Sequence, residues 1–220
     1  MVTYFPASQT KTISLFYRMI IDGYKIRDQS KPHFLTFTVV NWIDVFSREY
    51  YKNIIIESLS YCMINKGMIV YGYVIMSNHM HIIMQSEDSK LSNLIRDFKK
   101  FTSKKIILSL NNESFGRRQW MLNLFKAAAN SRGGNNKYQL WIYGNHPEEI
   151  YSEKFLWSKL DYIHLNPVRA RIVVKASHYI YSSAVNYVIS NNAGVLPITC
   201  VDNPVIDVLK PNSFWKSISW

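Results

Sequence analysis

The chain has 220 residues, a formal net charge of +11, 48% hydrophobic residues and 15% aromatic residues. This apolar fraction provides a sizeable core and excludes a wholly disordered chain, and the length favours one domain over two. The excess of Lys and Arg, together with the many aromatic rings, points to nucleic acid, because cations contact phosphates and rings stack on unpaired bases.

The cysteines and the apolar segments indicate the compartment. Cys62 and Cys200 are too few for a disulfide scaffold, and neither stands in a zinc-binding spacing. The first residues lack the basic head, apolar run and cleavage site of a signal peptide, and the longest apolar region, residues 54–76, contains Glu57 and Lys66. We therefore expect a cytoplasmic protein without a membrane partner.

The first half of the chain predicts three strands and a helix. Residues 34–40 alternate apolar and polar side chains, which is typical of a half-buried strand. Residues 49–66 carry apolar residues four and three apart and are followed by Gly67, which predicts an amphipathic helix with a glycine cap. Residues 68–76 and 79–85 are apolar runs separated by Ser77 and Asn78, which predicts two strands joined by a tight turn.

The second half predicts helices around one further strand. Residues 91–110 have one apolar and one basic stripe and predict a helix, and residues 111–136 suggest a helix-containing insertion that runs into a mobile loop. Residues 138–143 read as a strand. A helix then begins after Ser152 as N-cap and ends at Pro167, and residues 182–188 suggest one short helix. This order predicts an α+β sandwich with the helices on one side of the sheet.

Two histidines form the first candidate site. His79 and His81 are separated by one residue in a predicted strand, so both imidazoles point to the same face. Two neutral imidazoles are half of a metal site. The pair alone is equally consistent with two half-buried histidines that are satisfied by hydrogen bonds.

A tyrosine and an asparagine form the second candidate site. Tyr162 and Asn166 lie four residues apart near the end of a predicted helix and therefore share a face. They could present a nucleophile and an oxygen ligand to one metal ion. Spacing alone favours the other interpretation, in which Tyr162 packs in the core and Asn166 caps the helix before Pro167.

Three sequence runs together resemble a known family. They are YGYVIMSNHMHIIM (residues 71–84), LSNLIRDFKKFTSKKI (residues 91–106) and LDYIHLNPVRARIV (residues 160–173). They resemble the IS200-like single-tyrosine transposases, specifically the REP-associated tyrosine transposases, which belong to the HUH endonucleases. The resemblance covers about residues 25–187 and depends on SNHMH combined with DYIHLNPVRA.

The resemblance implies a fold, a reaction and a set of residues. The fold is a ferredoxin-like antiparallel sheet with helices packed on it, as a catalytic domain over residues 32–175 between an N-terminal extension (1–31) and a C-terminal extension (176–220). His79 and His81 correspond to the metal-binding pair, Tyr162 to the nucleophile, and Asn166 to a position where relatives usually carry a glutamine ligand. The cofactor is a divalent metal, Mg²⁺ or Mn²⁺. The reaction cuts and rejoins single-stranded or hairpin DNA through a 5′-phosphotyrosine link, and a homodimer is implied.

The basic residues are concentrated in one part of the chain. Residues 90–137 contain eleven Lys and Arg against two acids, a net charge of +9. Phosphate contacts from such a segment give sequence-independent affinity, and Trp120, Phe115 or Phe125 could stack on a base. A solvated helix face with core aromatic residues is the alternative. The residues predicted to bind DNA are Arg96, Lys99, Lys100, Lys104, Lys105, Arg117, Arg118 and Arg169.

Two other functions compete with strand transfer. A protein of the same fold could bind hairpin DNA or RNA and regulate without cutting, although such a protein would not need His79, His81 and Tyr162 together. A replication or conjugation nickase of the HUH class is the third possibility. Such nickases usually run longer and often carry a helicase or a second tyrosine, which makes this function less favoured.

Overall fold

A four-stranded antiparallel sheet organises the protein. The computed structural model describes residues 25–112, 116, 118–131 and 136–202. Strands β1 (His33–Thr38), β2 (Met68–Ile75), β3 (His79–Ser86) and β4 (Glu148–Glu149) pair in the order β2-β3-β1-β4. The helices are α1 (Glu49–Asn65), α2 (Leu91–Asn112), α3 (Arg118–Asn130), α4 (Glu153–Arg169) and α5 (Ala184–Val188). The β1-α1-β2-β3-α2-β4 core confirms the predicted α+β, ferredoxin-like fold.

Most predicted elements are present within a few residues of the expected bounds. The helix predicted over residues 49–66 is α1, and Gly67 follows it with a φ of +60°, the left-handed conformation of a glycine cap. The two apolar runs around Ser77 and Asn78 are β2 and β3. The predicted insertion contains α3, whereas part of the predicted mobile loop, residues 132–135, lies outside the described residues. Within the part of the chain that the structure describes, no helix is long and apolar enough to cross a membrane.

The helices lie on both faces of the sheet, so the prediction that they share one side is wrong. On one face, Phe37 of β1 lies with its ring centroid 5.7 Å from that of Phe98 on α2, and α1 packs beside α2. On the other face, Phe34 of β1 lies 5.9 Å from Tyr162 on α4. The cause is visible in the strands, because residues 72–75 of β2 and 80–84 of β3 are all buried. Strands that are apolar on both faces need cover on both.

The predicted strand over residues 138–143 is also wrong. This segment is extended but makes one isolated bridge, between Val39 and Trp141, and its Ile142 N–H donates to the Thr38 carbonyl at 2.7 Å. On the side of β1 away from β3, the strand that pairs with it is β4, opposite His33 and Phe34. The apolar pattern instead reflects burial of Trp141, whose indole N–H donates to the Thr102 hydroxyl of α2 at 3.0 Å.

Helix α4 begins as predicted but ends later than predicted. The Ser152 hydroxyl accepts the Phe155 N–H at 3.2 Å, which confirms the N-cap. The helix then continues through Pro167 to Arg169. A proline this close to the end removes one hydrogen bond of the last turn, so the helix is not broken there. It ends instead in a Schellman motif, in which the Ile172 N–H donates to the Pro167 carbonyl and Arg171 has a φ of +57°.

Candidate active site on the histidine face of the sheet

The two histidines of β3 lie side by side on the face covered by α4, here called the histidine face. His79 is paired with Thr38 and His81 with Thr36 across the β1–β3 ladder. Their ring centroids are 4.8 Å apart with an interplanar angle of 72°. The period of the strand therefore brings both imidazoles to one place, as the spacing predicted.

Asn78 orients the first imidazole. The Asn78 side-chain N–H donates to the Trp42 carbonyl at 3.2 Å, which fixes the orientation of the amide. Its oxygen then lies 2.7 Å from Nδ1 of His79. Because a carboxamide oxygen only accepts, Nδ1 of His79 carries the proton and Nε2 keeps its lone pair. Sequence reasoning treated Asn78 as a turn former and missed this role.

The second imidazole is more deeply buried. Nδ1 of His81 lies 2.9 Å from the Thr36 hydroxyl, whereas its Nε2 is buried without a hydrogen-bond partner. Burial, with smaller contributions from His79 and Lys159, lowers the pKa of His81 to about 3. Burial also lowers the pKa of His79. Both imidazoles are therefore neutral at physiological pH, which is the form that binds metals.

These residues fit a divalent cation. The buried, unpartnered Nε2 of His81 and the Nε2 lone pair of His79 are imidazole donors of the kind that a metal site uses. Within the described residues, no group of three or more His, Cys, Asp and Glu is placed to hold a metal ion. Further ligands would be oxygen atoms of an amide, of water or of substrate. Asn166, half-buried on α4, stays the predicted protein oxygen ligand.

Tyr162 lies next to the histidine pair. Its ring centroid is 5.0 Å from that of His81 and 5.9 Å from that of Phe34, and the side chain remains 41% exposed. The guanidinium carbon of Arg169 lies 5.8 Å from the centroid of the Tyr162 ring. Spacing alone favoured a core position for Tyr162. The structure instead places an accessible phenol against His81, with Arg169 beside it.

A glycine in β2 lets α4 approach the sheet this closely. A Cβ atom at Gly72 would lie 2.5 Å from Cδ2 of Leu160 on α4, nearer than side-chain atoms pack. One turn further along α4, Nε2 of buried His164 lies 2.9 Å from the Ser183 hydroxyl, which accepts the Tyr73 N–H at 2.8 Å. Gly72 and His164 thus position α4 against β2.

Lys159 is a cation of the site that sequence reasoning did not single out. Its Nζ lies 2.7 Å from a Glu148 carboxylate oxygen and 4.5 Å from the Phe34 ring centroid. The ammonium group is close enough to His81 to contribute to its lowered pKa. The spacing in the sequence indicates this position, because Lys159 precedes Tyr162 by three residues and therefore lies on the same side of the helix.

The predicted DNA-binding residues of α2 lie on the opposite side of the sheet from the histidines. Lys99 donates to the Ile142 carbonyl at 2.8 Å and to the Asn145 side chain at 2.7 Å. Lys105 pairs with Glu57 at 2.5 Å, and Arg96 pairs with Asp97 at 3.0 Å. The exposed cations predicted on this helix include Lys100 and Lys104. Lys99 therefore fastens α2 to the segment before β4, and DNA binding along α2 stays a prediction.

The remaining predicted contacts are spread over α3 and its surroundings. Arg118 begins α3, and Arg117 lies outside the described residues, as does Phe115. Phe125 is fully buried, so the prediction that it stacks on a base is wrong. Trp120 is 49% exposed on the same helix.

Two comparisons with known proteins find similarity to transposases. Residues 28–129 match the family model described as Transposase IS200 like, a range that includes both histidines and ends before Tyr162. A solved structure of a REP-associated tyrosine transposase bound to a REP hairpin superposes with a TM-score of 0.51 at 18% identity. The alignment covers 73% of this chain and 81% of that one. No curated protein sequence matches the chain significantly.

Proposed function

We propose that this chain is a metal-dependent DNA strand transferase with Tyr162 as its nucleophile, because residues 28–129 match the IS200-like transposase family model. The substrate is single-stranded or hairpin DNA. One observation carries the proposal: an accessible phenol lies against a buried imidazole whose Nε2 has no partner in the protein. A protein that only binds DNA has no use for that arrangement.

The reaction is a transesterification at phosphorus. The Tyr162 oxygen attacks, the bond from phosphorus to the 3′-oxygen breaks, and the released 3′-oxygen takes a proton while the phenolic proton leaves to solvent. The product is a 5′-phosphotyrosine link, and attack by another 3′-hydroxyl reverses the step and joins the strands. A divalent cation held by His79, His81 and Asn166 would supply Lewis-acid stabilisation of the phosphate charge.

The residues around the pair keep it ready for this role. Asn78 holds the proton of His79 on Nδ1, and the Thr36 hydroxyl occupies Nδ1 of His81, so both Nε2 atoms remain available. Arg169 lies beside the Tyr162 ring and Lys159 lies over the neighbouring Phe34 ring, so both bring positive charge to the surroundings of the nucleophile, where a phosphate would lie. We assign them to orienting that phosphate.

The proposal also includes a hairpin substrate and a homodimer. The structurally similar transposase is bound to a REP hairpin, and this chain has a formal net charge of +11, which suits a phosphate backbone. The homodimer follows from the family resemblance and stays a prediction.

Replacement of Tyr162 by Phe tests the proposal. The change removes the nucleophilic oxygen and keeps the ring beside His81, so we expect cleavage of a labelled hairpin strand to disappear while affinity for that strand persists. Tyr61→Phe, an exposed tyrosine on α1, is the matched control and should cleave normally. Cleavage by the Tyr162→Phe variant at the wild-type rate would contradict the proposal.

A further inference from the structure

We propose that Trp42 is the platform on which an unpaired base stacks beside the phosphate that is cut. The inference rests on the proposed function, because it places the cut phosphate at the histidine pair. Trp42 lies in the loop after β1 and belongs neither to the sequence motifs nor to the residues assigned to the reaction.

The indole of Trp42 is exposed at the edge of the site. Its side chain is 61% exposed, and its ring centroid lies 5.9 Å from that of His79 at an angle of 69°. Trp42, His79, His81 and Tyr162 form an unbroken series of ring contacts, with Trp42 at one end and the nucleophile at the other. A nucleotide adjoining the cut phosphate would therefore reach Trp42.

The backbone of the loop has an unusual conformation at Trp42. Asn41 and Trp42 both have a φ of +54°, a region that bulky side chains rarely adopt. The Trp42 N–H donates to the Val39 carbonyl at 3.1 Å, and the Trp42 carbonyl accepts the Asn78 side-chain N–H at 3.2 Å. Strain of this kind persists where the surroundings enforce it, and such positions concentrate at functional sites.

Asn78 couples the two parts of the site. One side-chain amide contacts both the Trp42 carbonyl and Nδ1 of His79. The backbone of Trp42 is thus held relative to the imidazole that would hold the metal. A base stacked on Trp42 would keep its phosphate in register with His79 and Tyr162, which is the positioning that strand transfer needs.

The chemistry of the surroundings selects a nucleic-acid base as the occupant. An exposed aromatic face suits a base, and the cations Lys159 and Arg169 at the Tyr162 end of the same series suit the phosphate joined to that base. Any of the four bases has a face that stacks, so Trp42 would contribute affinity and position with little sequence preference.

Binding to single-stranded oligonucleotides with one abasic position each tests the proposal. The Tyr162→Phe background keeps the strand intact, and Trp42→Ala is expected to weaken binding about tenfold. For the Tyr162→Phe parent protein, one abasic position next to the cleavage site should weaken binding by a similar factor. The same abasic position should cause no further loss of affinity in a protein that also carries Trp42→Ala. Trp42→Phe, which keeps a ring, should recover most of the affinity, and Tyr61→Ala should leave it unchanged.

A second measurement does not depend on the alanine variant. A fluorescent base, 2-aminopurine, placed at that same position should be quenched by the parent protein and should be less quenched by Trp42→Phe. Equal losses at every abasic position, or losses that follow Trp120→Ala instead of Trp42→Ala, would overturn the inference. Failure of the proposed function is distinguishable, since wild-type protein would then not cleave although the coupling between Trp42 and one base persisted.

Discussion

The histidine face and the outer surface of α2 both carry polar groups that suggest DNA, but they use them differently. On the histidine face, Asn78 and Thr36 occupy one nitrogen of each imidazole and leave the other available. On α2, Lys99 and Lys105 are engaged by acceptors of the protein itself. A high density of basic residues therefore shows where positive charge is concentrated. Nitrogen atoms without a partner, such as Nε2 of His81, show where a ligand can bind.

The largest expected effect comes from removing an imidazole of the histidine face. His81→Ala should lower the rate of cleavage by about a thousandfold or more, because stabilisation by a bound cation contributes several kcal/mol. Affinity for DNA should change little, since phosphate contacts elsewhere supply most of it. The measurement is cleavage across a titration of Mg²⁺ and Mn²⁺.

An exposed histidine outside the site provides the matched control. His178→Ala should cleave like wild type at every metal concentration. Wild-type cleavage in the presence of excess chelator would contradict the assignment of His79 and His81 as metal ligands.

Acid should destabilise the protein through the same burial that keeps the imidazoles neutral. Burial lowers the pKa of His164 to about 3, as it does for His81, whereas an exposed histidine titrates near 6.5. Below pH 6.5 the unfolded chain binds these protons and the folded chain does not, so the free energy of unfolding falls as the pH drops towards 3. We expect a loss of about 1–3 kcal/mol between pH 6.5 and 5.

Urea unfolding at several pH values, without added metal, measures this dependence. His81→Asn removes one titrating group and should make the dependence shallower. A free energy of unfolding that is constant from pH 6.5 to 5 would show that these imidazoles are protonated as easily in the folded protein as in the unfolded chain.

Helix α4 depends on the absence of a side chain at Gly72. Gly72→Ala should lower the free energy of unfolding by about 1–3 kcal/mol, because the new methyl group overlaps Leu160. It should also slow cleavage, since Tyr162 shifts relative to His81. Thermal unfolding and the cleavage assay measure the two effects.

The control for this prediction removes the opposing group. In the double variant Gly72→Ala, Leu160→Ala, the loss of stability should be smaller than the sum of the two single losses. Additive losses would mean that the methyl group is accommodated without displacing α4.

The smallest expected effects come from the lysines of α2, which are of two kinds: exposed lysines that could contact DNA, and Lys99, which is bonded within the protein. Replacing Lys100 and Lys104 by Ala should flatten the slope of log affinity against log salt by about 1.4, at about 0.7 for each phosphate contact on a single strand. Lys99→Ala should leave the slope unchanged and lower stability, because it removes contacts to Ile142 and Asn145. An unchanged slope for the double variant would place the DNA away from α2.

Local patterns predicted the elements and the motif residues, but not how the elements come together. The alternation in β3 placed His79 and His81 on one face, and Ser152 marked the start of α4, because both depend on neighbouring residues. How closely α4 approaches the sheet depends on Gly72 meeting Leu160, a contact across 88 positions of sequence. No period in a sequence encodes such a contact.

The roles of Trp42, Lys99 and residues 138–143 could not be predicted from the sequence for different reasons. Trp42 was unremarkable in the sequence, since nothing there indicates two successive left-handed residues without glycine. Lys99 was predicted to bind DNA with the rest of the basic stripe, because the sequence does not show that the segment before β4 supplies acceptors for it. The strand predicted at residues 138–143 failed because apolar alternation reports burial, and Trp141 is buried without strand pairing.

The most direct test of the account is the identity of the residue that becomes linked to DNA. Wild-type protein is incubated with a hairpin strand and Mn²⁺, the covalent complex is digested, and the DNA-bearing peptide is identified by mass spectrometry. We expect a 5′-phosphate ester on Tyr162 and no adduct in the Tyr162→Phe variant. A DNA-linked peptide that does not contain Tyr162, or cleavage that produces no adduct at all, would contradict it.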